Sequence, residues 1–377
     1  METKEKKIGF KALYKSCPFA HWVVLLSGLL IILHLAFRHD QPLMAKLYSA
    51  VVHPYHETMA KMCDGLSFAL SELLIIGFAL VILALALVRL YRLVRYGEKL
   101  KTLYSLIMGL LAAVLFVYAG FCLLWGTYYY ADDFESSSGF ETREISVDEL
   151  NTVTGYFADL LNQYGDLVER DDSSFYCVDR NSIIQRSSEL YSTTEQLHPR
   201  LAGIDIKVKA IKSSRLLSYL DFTGFFFPFT GEACVNVDFP VSLFPSTVAH
   251  ELAHQRGVAQ EQNANFVAVL SSLESEDIDY CYSACLLAYT HLGNALYSAD
   301  YQQWLAVYET LSDNVLRDIA VNRMYWQQFD TPVQTVSNTV YEGLLQSYDQ
   351  TLGMKSYGAC VDMLVCYYLE MAENQGA

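Results

Sequence analysis

Three apolar stretches, at 20–37, 66–88 and 104–124, constrain this chain more than any other feature of its 377 residues. Each is close to the ~20 residues that an α-helix needs to cross about 30 Å of hydrocarbon. Basic residues gather at their ends, which core helices of a water-soluble domain seldom show. The sequence therefore predicts a membrane anchor over 1–126 with three transmembrane helices, and a lipid bilayer as its partner.

Orientation follows from charge, because Lys and Arg near a span are retained on the cytoplasmic side. Lys4, Lys6, Lys7, Lys11 and Lys15 precede the first stretch, and Arg89, Arg92, Arg95, Lys99 and Lys101 separate the second from the third. The first loop has only Arg38, Lys46 and Lys61 over a greater length. A cytoplasmic N-terminus follows, and three crossings carry 127–377 to the extracytoplasmic side. Trp125, Tyr128, Tyr129 and Tyr130 then read as an interfacial aromatic belt, followed by Asp132, Asp133 and Glu135. No small-x-small cleavage pattern closely follows Phe37, which argues against a cleaved signal peptide.

The net charge of −16 divides at the same boundary. Residues 1–126 hold 13 Lys/Arg against 7 Asp/Glu, whereas 127–377 hold 13 against 35. So acidic a domain repels a phosphate backbone, and nucleic acid is excluded as its partner. Six of the nine cysteines fall in this domain, and spacing alone leaves both disulfides and buried thiols open.

At about 250 residues with no Pro/Gly/Ser-rich linker, the second part reads as a single α-dominated domain. Ser146 and Glu149 form a capping-box pattern that opens a helix to about residue 167. A second helix is expected over 181–197, and a strand over 204–211, where β-branched residues alternate. Residues 223–227 and 232–238 flank a Pro228-to-Gly231 turn and read as a short β-hairpin. Helical periodicity then dominates, over 247–256, 260–274, 278–297, 299–327 with a break near Ser312, 333–350 and 356–372.

The chemistry lies between residues 250 and 265. His250-Glu-Leu-Ala-His254 matches H-E-x-x-H, whose two histidines share one helix face and can hold one Zn²⁺. Glu251 is placed to act as general base, taking a proton from a zinc-polarised water and delivering it to the leaving amine. Gly257 can end the helix in a left-handed turn and bring the chain back towards the metal. Glu261 then opens an E-x-x-A-N segment and is the expected third ligand. Asn265, one turn later, is the expected acceptor that fixes a histidine tautomer.

These residues carry a family resemblance. The run from Gly224 to Glu232, then Val235 and Asn236, Pro245, the segment His250 to Gly257, and Glu261 to Phe266 resemble the bacterial DUF3810 family. Ser356-Tyr-Gly358 and Val361 to Leu364 resemble its C-terminal signature. The resemblance implies membrane-anchored proteins of uncharacterised function with a zincin site. Where the family usually has E-x-E-A-N-F, this chain has Asn263 at the second acidic place. With the first glutamate as ligand, zinc binding is expected to survive.

The expectation is a mostly α protein: three transmembrane helices, then a zincin-like (α+β) metallopeptidase domain with a short β-hairpin before the H-E-x-x-H helix. Its substrate is a peptide or protein, paired with the strand over 232–238. Glu232, Val235 and Asn236 are the residues expected along that strand or its turn. The alternative is a non-catalytic membrane protein, with a structural zinc or a degenerate zincin domain that binds a partner.

Overall fold

The computed structural model describes residues 9–95, 99–131, 134, 142–348 and 357–375. Asp132, Asp133, Glu135 and Ser356 lie outside them. Among the described residues, three helices are long and apolar enough to cross a membrane: Pro18–Phe37, Leu70–Arg95 and Lys99–Tyr130. The third outruns 104–124 because it continues through a π-helical turn at Cys122–Gly126 into Thr127–Tyr130. Leu25, Ile32, Leu80 and Ile107 are exposed, and none of the most apolar window of Leu70–Arg95 is buried. Water penalises such a surface and hydrocarbon does not.

Along Pro18–Phe37, Leu70–Arg95 and Lys99–Phe121 the buried side chains are all small, namely Ser27, Ser71, Ser105, Ala112 and Ala119, and larger ones, Trp125 and Tyr128, are buried only beyond Phe121. Small residues let helix backbones approach closely where lipid supplies no hydrophobic drive. His21 Nδ1 donates to the Cys17 carbonyl, so His21 Nε2 accepts from the Tyr104 hydroxyl at 2.8 Å.

The chain groups into two compact units, Met1–Val52 with Leu70–Ala131, and His53–Ala69 with Asp132–Ala377. The first loop, counted with the anchor when the sequence is divided at residue 126, is thus split. Its second half is a helix, His53–Asp64, and belongs to the larger unit.

The larger unit is mostly helical around a three-stranded sheet. Helix Val147–Leu167 starts with the expected capping box, Ser146 and Glu149 each satisfying the other's backbone amide. The helix expected over 181–197 is broken into Arg180–Arg186 and Thr194–Leu197. Ser187 explains the break: its hydroxyl donates to the Ile184 carbonyl and accepts from the Val208 amide, competing with the helical ladder. The break near Ser312 occurs as expected, with that residue capping Asp313–Gln327.

The strands are β1 (Lys209–Ile211), β2 (Gly224–Phe227) and β3 (Glu232–Asn236), in the order β1-β3-β2. Ile204, Ile206 and Val208 alternate inward as a strand would. Only 209–211 find partners, because β3 offers Cys234 to Asn236 in parallel register and no more. The hairpin forms, with Gly224 opposite Val235 and Phe227 opposite Glu232. One expectation fails: β3 is the central strand, hydrogen-bonded on both sides and buried along its whole length, so it offers no edge to a peptide.

Helix Phe244–Gln255 packs on β2 and β3 on one side and on helices Glu261–Glu274 and Ile278–Ala299 on the other. Phe157, Val248, Leu252, Phe266 and Leu292 share the core around it. All nine cysteines are free thiols, and Cys281 and Cys285 are fully buried.

Candidate metal centre

His250, Glu251 and His254 lie on helix Phe244–Gln255, which Pro245 starts at a position where its missing N–H costs nothing. Spacing of four puts the two imidazoles on one face, with ring centroids 4.6 Å apart and planes at 89°. Gly257 adopts φ +87°, the left-handed turn expected of it. The Gly257 and Val258 amides then close onto the carbonyls of His254 and Ala253, satisfying the helix end. That reversal lets helix Glu261–Glu274 return its first residue to the histidines.

The three groups meet. Glu261 Oε2 lies 3.2 Å from His250 Nε2 and 3.7 Å from His254 Nε2. One ligand atom from each residue falls within 4.8 Å of the other two. Both rings are held from behind: His250 Nδ1 donates to Asn265 Oδ1 at 2.9 Å, and His254 Nδ1 donates to the Val258 carbonyl at 2.6 Å. With Nδ1 committed as the donor, each Nε2 is directed at the shared point, where its lone pair would serve a metal. Asn263, at the position of the family's second acid, donates to Gln260 Oε1 instead.

Electrostatics favour a cation here. Burial alone would raise the Glu261 carboxyl, but the facing imidazoles outweigh it and hold Glu261 well below the usual carboxylate range. Burial would lower His254, yet Glu261 and Glu251 push it up to about 9. Two imidazole nitrogens and one carboxylate oxygen, with both tautomers fixed, suit Zn²⁺ in number and chemistry.

Glu251 is buried beside this cluster without joining it. Burial pushes its carboxyl up to about 7, against the opposing pull of the two histidines. Its Oε2 has no hydrogen-bond partner among the described residues. An orphaned buried oxygen is costly and calls for a reason. A carboxyl near neutrality with one oxygen uncommitted is equipped to take up and release a proton.

The carboxylate lies against β2. A Cβ on Gly224 would stand 2.5 Å from Glu251 Oε1 and 2.8 Å from the Cys234 carbonyl. Only glycine lets the strand approach this closely. Gly224→Ala is therefore expected to destabilise the fold by about 1–3 kcal/mol through overpacking. Thermal denaturation checks this, and an unchanged midpoint would mean that the strand yields without cost.

The other sequence candidates fall elsewhere. Glu232 accepts from the Thr230 hydroxyl at 2.8 Å and serves the hairpin turn. Val235 is core, and Asn236 donates to Ser218 Oγ and the Phe222 carbonyl. Arg256, the residue that caps the C-terminus of helix Phe244–Gln255, is 2% exposed, pairs with Asp205 and stacks 4.3 Å above the Tyr191 ring. Tyr191 in turn donates to the carbonyl of Ala249, just ahead of His250.

Sequence reasoning missed Tyr341, whose hydroxyl donates to Glu261 Oε1 at 2.7 Å. No local pattern singles it out among 27 tyrosines.

A family model described as a protein of unknown function (DUF3810) matches residues 47–365. No curated protein and no solved structure matches the chain.

Proposed function

The chain belongs to the DUF3810 family, and from that premise we propose that it is a membrane-anchored zinc peptidase with an extracytoplasmic, zincin-like catalytic domain. One observation carries the reading: the convergence of His250 Nε2, His254 Nε2 and a Glu261 oxygen beside the buried, partly unsatisfied carboxyl of Glu251. Zinc held by the three ligands would supply Lewis acidity, polarising a water molecule and the scissile carbonyl.

The remaining work belongs to the protein. Glu251 accepts the proton of the attacking water at Oε2 and returns it to the departing nitrogen as the peptide C–N bond breaks. Asn265 and the Val258 carbonyl keep both imidazoles in their Nδ1–H form throughout. An extended peptide adds to β2, the outer strand of the hairpin, whose Gly224 abuts Glu251.

The placement of basic residues supports a cytoplasmic N-terminus. Three crossings put 38–69 and everything after the third span on one side of the membrane. The grouping of His53–Ala69 with Asp132–Ala377 supports an odd number of crossings and holds for either orientation, which rests on the basic residues alone.

The test uses the full chain purified in detergent. About one equivalent of zinc per chain is expected, lost in His254→Ala, together with zinc-dependent cleavage of a mixed peptide library. A chain that holds no zinc above background ends the proposal.

A further inference from the structure

We propose that Tyr341 is a positioning residue that makes Glu261 a one-oxygen ligand and so keeps the metal centre open. This deepens the zinc reading and rests on it. The two oxygens of Glu261 have separate partners. Oε2 faces both imidazole nitrogens, whereas Oε1 accepts the Tyr341 hydroxyl at 2.7 Å.

The division matters because of ligand number. Two imidazoles and one carboxylate oxygen make three protein donors, which leaves a fourth position for water. A carboxylate free to swing can also give both oxygens, and four protein donors crowd that position. A hydroxyl that occupies one oxygen excludes the second mode without adding charge. Partners of this kind, one bond away from the metal, fix both the orientation and the basicity of a ligand.

The placement of Tyr341 fits a specific contact rather than core packing. Its helix, Pro332–Ser347, buries only Leu345, and Val336 and Val340 are 64% and 68% exposed. What docks the helix is a short stretch of chain. Ser337 Oγ donates to the Leu220 carbonyl at 2.8 Å, and Asn338 Nδ2 donates to Asp221 Oδ2 at 2.9 Å. The Phe222 ring meets the Tyr341 ring edge-on, with centroids 5.3 Å apart. Two residues later the same stretch reaches Gly224, against Glu251. Residues 220–224 thus hold in register the tyrosine that faces the third ligand and the glycine that faces the general base.

The experiment compares the full chain with Tyr341→Phe, each in detergent with Co²⁺ in place of zinc. Tyr341→Phe keeps the ring against Phe222 and removes only the hydroxyl. The variant is expected to bind the metal, to show the weaker visible absorption of a centre with an added ligand, and to lose about 10–100-fold in peptide hydrolysis. Asn338→Ala, which keeps the hydroxyl but loosens its helix, is expected to move the spectrum in the same direction by less. If the Tyr341→Phe spectrum matches that of the original chain, this inference is wrong and the zinc reading stands. If the original chain binds neither zinc nor cobalt, both are wrong.

Discussion

Glu251→Gln is expected to keep the full zinc content and to lose about 10²–10⁴ of the hydrolytic rate, the usual range for removing a general base. Glu251 is absent from the ligand triangle, so zinc has no reason to leave. The amide matches the carboxylate in shape and fits the space that Gly224 leaves for it. It cannot take up a proton. Metal analysis and a peptide-cleavage assay on the same preparation check both halves. A purely structural zinc predicts a different result, with the metal retained and no hydrolysis in either chain for the change to remove.

The same substitution has a stability signature in metal-stripped protein. Burial raises the folded-state pKa of Glu251 to about 7, above its ordinary value of 4.5. Between these values the folded chain holds a proton that the unfolded chain has released. The group therefore costs stability progressively as pH rises through that window. Glu251→Gln removes this dependence, so the variant should match the original chain in acid and exceed it above neutral pH. Chemical denaturation at pH 4.5 and pH 8 reads the difference. Equal losses for both proteins between the two pH values would refute the account.

Local spacing made the histidine pair, the Gly257 turn, Glu261 and Asn265 legible, because each lies within a turn or two of the next and helix geometry alone brings them together. The apolar stretches were legible for the same reason, since length and composition suffice. The role of β3 was not. Its neighbour β1 joins from outside the hairpin in parallel register, and no feature of 232–238 announces a partner on that side. Tyr341 is eighty residues from Glu261 and carries no motif. Gly224 stood in the family-like run, but its reason for being glycine is a carboxylate from another element. What escaped the sequence is long-range pairing, and it decides which strand is free and which tyrosine reaches the centre.

The second large effect concerns the loop between the first two spans. A chain cut to 132–377, close to the boundary that charge alone suggests, is expected to aggregate or to be digested rapidly. The loss lies in His53–Ala69, where His56, Ala60, Cys63 and Ala69 are buried within the larger unit. Ala60 packs with Ile204 and Ile206, and Ala69 with Ile211 and Cys234. Tyr55 donates to the Phe229 carbonyl at 2.8 Å, and Lys209 Nζ donates to the carbonyls of Asp64 and Leu66 at 3.0 and 2.7 Å. A neutral hydrogen bond of this kind contributes about 1 kcal/mol and one from a charged donor about 1.5–3 kcal/mol. Exposing the isoleucines adds to that, and a domain's whole margin is only about 5–15 kcal/mol. The hairpin turn itself is shaped to the helix: Gly231 has φ +67°, and a Cβ there would run into the His56 carbonyl. Gln255 Nε2 then donates to the Gly231 carbonyl at 2.8 Å, one residue after His254. Removing the segment should therefore loosen the metal-binding helix as well as the sheet. Restoring 53–69 through a Gly/Ser linker ahead of residue 132 is expected to recover a cooperative thermal transition and zinc binding. Equal midpoints with and without the segment would show that the larger unit stands without it.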